Sequence, residues 1–333
     1  MSRDDANQLK IFAGRNSIDL AERVCRHLEL PLGAARTESF PDGEVIVKLE
    51  EDVRGRDCYV ILSTCSPVNE NLMELLVFMD CLRRASANRI TVVAPYFGYA
   101  RQDRKDAGRV PITAKLVANL IVAAGAQRVV ALDLHAAQIQ GFFDIPVDHL
   151  SATPVFFDYF VRIRDELENL CLVSPDVGNV KVAESFANML GGELAIIHKR
   201  RIDGKDVKTG GLIGSVKGKT VLMYDDMITT AGTVVEAARL VLEEGAAKII
   251  VAATHPVMVG LAMERLASSP ISRIVCTNTI PSYGSGGGVD RLAAIRDRYV
   301  EICVSELLGN AIHNIHHNKS VSALFKFPGG GKR

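Results

Sequence analysis

The chain has 333 residues, 48% hydrophobic and 23% charged, enough apolar material for a sizeable core and a length that favours two domains over one. Lys plus Arg and Asp plus Glu number 39 each, so no global field draws the protein to nucleic acid or a membrane surface, and anion binding must be local. No apolar run approaches the ~20 residues of a membrane span. The N-terminal Met-Ser-Arg-Asp-Asp-Ala-Asn is polar and lacks the apolar stretch of a leader. Seven cysteines (Cys25, Cys58, Cys65, Cys81, Cys171, Cys276 and Cys303) show no CxxC spacing, which fits buried thiols in a reducing compartment. The expectation is a soluble cytoplasmic α/β protein.

In chain order, β-branched runs and helical periodicities predict strands at 10–13 and 59–62, a helix at 69–85, a strand at 90–94, a helix at 112–124 and strands at 128–132 and 172–174. A helix at 181–190 follows, then strands at 194–197 and 220–224, a helix at 233–244, a strand at 249–253, a helix at 258–267 and a strand at 274–277. This rhythm predicts mostly parallel sheets flanked by helices, with substrates bound in the loops after the carboxyl ends of strands. The run Tyr283-Gly-Ser-Gly-Gly-Gly288 has no apolar residue to pack and reads as a mobile surface loop. The tail from Phe327 reads as disordered.

An internal repeat bears on domain number. Residues 125–135 read Gly-Ala-Gln-Arg-Val-Val-Ala-Leu-Asp-Leu-His, and residues 245–255 read Gly-Ala-Ala-Lys-Ile-Ile-Val-Ala-Ala-Thr-His. Thr113 and Thr233 each open a helix at the same offset upstream. Helix, Gly-Ala terminator, strand and closing His in register indicate duplication. The reading is two similar α/β domains, 8–150 and 151–318, followed by a tail, 319–333. Ser151-Ala-Thr-Pro154 marks a helix start at the junction.

The segment richest in chemistry is Thr220-Val-Leu-Met-Tyr-Asp-Asp-Met-Ile-Thr-Thr-Ala-Gly-Thr233. A buried strand delivers two carboxylates, Asp225 and Asp226, which suit the vicinal hydroxyls of a ribose or a metal through water. Thr229, Thr230, Ala231, Gly232 and Thr233 follow and open a helix, where hydroxyls and backbone N–H groups suit one phosphate. Elsewhere, Ala100-Arg-Gln-Asp-Arg-Lys-Asp106 follows a strand and a turn, and its arginines suit a triphosphate. Taken alone it also reads as a solvated charge run. Ile197-His-Lys-Arg-Arg-Ile-Asp-Gly-Lys205, directly after a strand, reads as a flexible cationic loop or as a solvated turn. His135 and Asp176 each lie at a strand end, where a lone residue is more often structural than ligating.

The acidic pair and Thr-Ala-Gly-Thr resemble the phosphoribosyl-pyrophosphate-binding motif of the type I phosphoribosyltransferase fold. Further stretches narrow the resemblance to the ribose-phosphate pyrophosphokinase family. They are Phe40-Pro-Asp-Gly-Glu44, Asn71-Leu-Met-Glu-Leu-Leu76, Tyr99-Ala-Arg-Gln-Asp103, Pro111-Ile-Thr-Ala-Lys-Leu-Val-Ala-Asn119, Asp133-Leu-His-Ala136, Gln138-Ile-Gln-Gly-Phe-Phe-Asp-Ile-Pro146, Val173-Ser-Pro-Asp176 and Ser320-Val-Ser322. They run over nearly the whole chain.

The resemblance implies diphosphoryl transfer from MgATP to ribose 5-phosphate in nucleotide biosynthesis. It places the catalytic cations at Lys199 and Arg201, and ATP at Arg101, Gln102 and Asp103. Adenine is implied at Phe40, Asp42 and Glu44 of a neighbouring subunit in a homohexamer, and ribose 5-phosphate at Asp225, Asp226 and 229–233. Mg²⁺ is implied at His135 and Asp176, and a regulatory anion site at Arg54, Ser86, Ser320, Ser322 and Phe325. The chain departs from the family at Thr229, where an acid is usual, at Asn179, where a second Gly is usual, and at Asp52, where phosphate-activated relatives carry Ser. The last departure implies weak or absent phosphate activation. Two rivals share parts of this pattern. A phosphoribosyltransferase would not need the ATP segments or the duplicated domain, and a non-catalytic homologue predicts damage to the acidic pair or the cationic loop.

Overall fold

The computed structural model describes residues 8–175, 180–203, 206–282 and 290–325. The chain divides by its internal contacts into two compact units, one of Met1–Ala152, Thr279–Val289 and Val304–Arg333, the other of Thr153–Asn278 and Asp290–Cys303.

The first unit runs β1 (Leu9–Ala13), α1 (Ile18–Leu28), β2 (Ala35–Ser39), β3 (Val45–Leu49), β4 (Asp57–Ile61), α2 (Val68–Arg84), β5 (Arg89–Ala94), α3 (Thr113–Ala124), β6 (Arg128–Leu132) and β7 (Val147–Leu150). Strands β1, β4, β5, β6 and β7 lie side by side in that order, every neighbouring pair parallel. All five β4 residues are buried, as expected of a strand covered on both faces. Phe12, Val60, Val92 and Val129 pack with Phe78 and Met79 of α2 and Val117 and Ile121 of α3. Strands β2 and β3 form a separate antiparallel hairpin. The sequence did not mark it, because Ala-Arg-Thr-Glu-Ser carries no apolar alternation.

The second unit runs α4 (Thr153–Arg162), β8 (Leu170–Ser174), α5 (Val180–Leu190), β9 (Glu193–Asp203), β10 (Asp206–Ile213), β11 (Thr220–Met227), α6 (Gly232–Glu243), β12 (Lys248–His255), α7 (Ala262–Ala267), β13 (Arg273–Thr277) and β14 (Tyr299–Ile302). Its seven-stranded sheet has the order β10-β9-β8-β11-β12-β13-β14, parallel except for the β9–β10 hairpin at one edge. Both units are thus α/β, each a mostly parallel sheet flanked by helices.

The repeat recurs in the hydrogen bonds. Gly125 N–H donates to Val122 O and Ala126 N–H to Ile121 O; Gly245 N–H donates to Leu242 O and Ala246 N–H to Val241 O. The offset is the same in both bonds. Both glycines have positive φ, 125° and 87°, as the left-handed end of each helix requires. Each alanine is then buried ahead of the next strand, β6 or β12.

Two expectations are corrected. The sequence reading carried the C-terminal domain to residue 318, but Val304–Arg333 belong with the first unit. There α8 (Ser305–His316) lies along α1, with His27 Nε2 3.0 Å from Asn310 Oδ1 and His316 Nδ1 2.7 Å from the Asp57 carboxylate. Gly309 permits the approach, since a Cβ there would sit 2.7 Å from the His27 ring. The helix expected at 258–267 begins only at Ala262, because Met258 and Gly260 take positive φ (43° and 60°). The Met258 N–H is committed instead to Ile228 O, outside the helix.

Five cysteines are buried, Cys81 is half-buried and Cys303 is exposed, and all seven are free thiols. Burial pushes Cys25, Cys58 and Cys276 up to about 12, so these three are inert rather than reactive. No helix among the described residues is long and apolar enough to cross a membrane. The Gly-rich run 283–288 and the tail from 327 lie outside the described residues.

Candidate active site

β11 enters the site as an apolar rod. Thr220 through Tyr224 are buried, Asp225 and Asp226 are half-buried, and Met227 and Ile228 are buried again. Beneath the acidic pair Tyr224 packs edge-on to Phe156 (5.0 Å between ring centroids) and against Phe186 (4.9 Å), and its hydroxyl lies 2.9 Å from Thr254 Oγ1. This anchor fixes where the carboxylates emerge. The Asp225 carboxylate also accepts the Asp226 N–H at 2.9 Å.

The loop that follows is clamped by its carbonyls. Ile228 O accepts Met258 N–H (2.8 Å), Thr229 O accepts Val259 N–H (3.0 Å), Thr230 O accepts Arg265 Nη1 (2.9 Å) and Ala231 O accepts Val235 N–H (3.1 Å). Among the described residues no protein acceptor takes the N–H groups of Thr229, Thr230, Ala231, Gly232 or Thr233. Backbone polar groups are rarely left without a partner, so five consecutive donors at the start of α6 form an anion nest. Ala231 holds the turn in the left-handed region (φ 58°, ψ 6°). Gly232 does not, and a Cβ there would meet nothing closer than Arg265 Nη1 at 3.4 Å. The fold itself would accept alanine at 232. A small concavity is lined by Pro175, Asp225, Thr233 and Val234.

Lys199 and Arg201 fall within β9, which corrects the expected flexible loop. Lys199 pairs with Thr209 and Arg201 with Val207 across an antiparallel ribbon, interrupted by register shifts, one of them at Thr209/Leu212 beside Gly211 (φ 124°). Antiparallel pairing satisfies the backbone of a charged segment that has no apolar face to bury. Residues 204–205 lie outside the described residues.

In the first unit, Arg101 and Gln102 are exposed. Gln102 O accepts Ala114 N–H (3.2 Å) and its side-chain Oε1 lies 2.5 Å from Thr113 Oγ1, so Gln102 caps α3. Gln138 Nε2 donates to Asp103 Oδ2 at 2.6 Å, tying the basic loop to the 3₁₀ turn Ala137–Phe142. The preceding turn needs glycine at 98, because a Cβ there would lie 2.4 Å from Thr64 O. Phe40, 48% exposed, sits with Asp42 and Glu44 at the tip of the β2–β3 hairpin, closed by Phe40 N–H to Glu44 O (2.8 Å).

His135 is exposed just beyond β6. Its repeat partner His255 is 1% exposed at the end of β12 and is structural. The 133–135 turn is held from two sides. Asp133 (φ 37°) accepts Ala152 N–H at 3.0 Å, and Leu134 N–H donates to His149 Nε2 at 2.8 Å. Burial lowers the His149 pKa, which keeps the ring neutral and Nε2 an acceptor. Asp176 and Asn179 lie outside the described residues.

Of the regulatory candidates, Arg54 Nη1 donates to Ser86 Oγ (3.1 Å) and Ser320 Oγ lies 2.6 Å from Ser322 Oγ. Phe325 closes a short 3₁₀ turn, Ser322–Phe325. Asp52 engages Arg54 through its backbone N–H (3.1 Å), not through its guanidinium.

Sequence reasoning missed His149 and Arg265. Each acts on the backbone of a loop distant in sequence, and no local pattern announces such a contact.

Fold and nest together define a phosphoribosyltransferase-like α/β protein with an anion nest directly after an acidic strand end. Comparison with known proteins narrows the class. Residues 9–125 match the N-terminal domain of ribose phosphate pyrophosphokinase, and residues 205–326 match the phosphoribosyl synthetase-associated domain. The chain is 54% identical over 320 residues to a ribose-phosphate pyrophosphokinase of Rhodopirellula baltica (96% of this chain, 99% of that protein). It is 47% identical over 316 residues to one of Campylobacter jejuni (95% and 98%). The crystal structure of phosphoribosylpyrophosphate synthetase from Mycobacterium smegmatis superposes with a TM-score of 0.85 at 41% identity, covering 93% of this chain and 99% of that one. The chain belongs to the ribose-phosphate pyrophosphokinase family.

Proposed function

We propose that the chain transfers the β,γ-diphosphate of MgATP to the C1 hydroxyl of ribose 5-phosphate, giving phosphoribosyl pyrophosphate and AMP. The observation that carries this reading is the row of five acceptor-free N–H groups at 229–233 directly after two carboxylates. A phosphate seated on those donors leaves Asp225 and Asp226 to accept from the ribose hydroxyls of the same molecule. Thr229 in place of an acid lessens repulsion of that phosphate.

The C1 hydroxyl attacks the β-phosphorus, the bond from the α-phosphate oxygen to the β-phosphorus breaks, and AMP leaves with that electron pair. No covalent enzyme intermediate is needed, so positioning and charge neutralisation carry the rate. We assign Lys199, Arg201 and Arg101 to the charge on the moving diphosphate. Gln102 and Asp103 shape the triphosphate loop, supported by their ties to α3 and Gln138. Phe40, Asp42 and Glu44 are assigned to adenine bound at a neighbouring subunit of a homohexamer, supported by the exposure of Phe40 on a hairpin tip.

The donors present fit a magnesium ion carried mainly on substrate phosphates and water, with His135 and Asp176 as the protein's contribution. Among the described residues no three His, Cys, Asp or Glu side chains are grouped as a closed protein cage would need. When bound, Mg²⁺ would offset phosphate charge. The free thiols are consistent with a cytoplasmic setting. Weak phosphate activation is proposed from the Asp52 carboxylate beside Arg54.

The test is nucleotide identity. With ATP, ribose 5-phosphate and Mg²⁺, AMP should appear and should require all three. ADP as the nucleotide product would reject the reading, and a phosphoribosyltransferase or a non-catalytic homologue would release neither from this mixture.

A further inference from the structure

We infer that Arg265 is a positioning residue for the 5-phosphate of ribose 5-phosphate, bracing the 229–233 loop and adding a fixed positive charge beside it. The inference rests on the ribose-phosphate reading of that loop.

Arg265 lies on α7, a helix too short to matter by itself, in a segment that already clamps the same loop through Met258 and Val259. Its Nη1 donates to the carbonyl of Thr230 at 2.9 Å, in the middle of the acceptor-free row. The same atom would be the nearest neighbour of a Cβ at Gly232, at 3.4 Å. The guanidinium therefore sits against both the carbonyl that interrupts the nest and the glycine that opens it.

The charge balance is informative. A guanidinium held by a neutral carbonyl keeps its whole charge, and among the described residues no carboxylate lies within 4.0 Å of Arg265. Other arginines differ in part: Arg89 is paired with Asp57, Arg128 with Asp148 and Arg273 with Glu166, while Arg164 and Arg298 also donate to carbonyls but away from the nest. An uncompensated cation beside a row of N–H donors suits a dianion. Engaging the Thr230 carbonyl also occupies one of the loop oxygens that would repel phosphate.

Substitution tests the charge: glutamine at 265 removes it and is two bonds shorter than arginine, whereas lysine keeps it. Ribose 5-phosphate would be titrated calorimetrically into wild type, Arg265→Gln and Arg265→Lys, with Mg²⁺ and α,β-methylene-ATP, whose carbon bridge blocks the transfer. Arg265→Gln should weaken ribose 5-phosphate roughly tenfold, about 1.4 kcal/mol. Arg265→Lys should stay within about threefold of wild type, as a retained charge would give. Binding of the ATP analogue should be unchanged. The gain in affinity as the phosphate passes its second ionisation, near pH ~6, should also be smaller in Arg265→Gln. Equal affinity and equal pH slope for wild type and Arg265→Gln would overturn the inference alone, as would lysine no better than glutamine. Failure of the wild type to bind ribose 5-phosphate would overturn the ribose-phosphate reading with it.

Discussion

His149 shows what one side chain can do for a site it does not enter. Its neutral ring accepts the Leu134 N–H and so holds the turn that presents His135. Burial places its pKa below the ordinary 6.5, so on acidification the unfolded chain takes up the proton first. The stability this residue contributes is therefore present above 6.5 and is lost as pH falls through 6.5 towards the lowered value. Wild type should lose stability in that window more steeply than His149→Asn. Urea unfolding of both proteins across the window measures this; parallel slopes would refute it. Residues of this kind were the least legible in the sequence. Asp225, Asp226 and 229–233 declared themselves by adjacency within one strand–loop–helix segment. His149 and Arg265 act on main-chain atoms 15 and 35 positions away, which a single sequence does not display.

At the scale of elements, the β11–α6 junction separates stability from function at a single position. An alanine at 232 finds room in the fold and improves a helix start, because glycine forfeits conformational entropy there. Gly232→Ala should leave thermal stability equal to wild type or raise it by up to about 1 kcal/mol. It should also raise the KM for ribose 5-phosphate by about tenfold, near the cost of one displaced charge-assisted hydrogen bond. A thermal scan beside steady-state kinetics checks both, and unchanged KM with unchanged stability would show that no ligand approaches Gly232. Strands and helices with strong periodicity were legible to within a few residues. The β2–β3 hairpin was not: β2 (Ala-Arg-Thr-Glu-Ser) is polar and largely exposed, and β3 (Val-Ile-Val-Lys-Leu) is a β-branched run that the reading passed over. The extension of β9 through Lys199 and Arg201 was hidden likewise, because backbone pairing rather than side-chain burial holds a charged ribbon together.

For the molecule as a whole, duplication explains why one chain carries two sheets of similar plan, and the hydrogen bonds around Gly125 and Gly245 preserve it. The copies have diverged where chemistry is assigned. The first ends its repeat with an exposed histidine, the second with a buried one, and the second keeps the acidic pair and nest. The return of α8 to the first unit escaped sequence reading because amphipathic periodicity says which face of a helix is buried, not against what. The account turns on which phosphates move. ATP labelled in its β-phosphate, incubated with ribose 5-phosphate, Mg²⁺ and the protein, should pass the label to the sugar and leave AMP unlabelled. Label retained in ADP would mean that a single phosphoryl group is transferred, and would contradict the account.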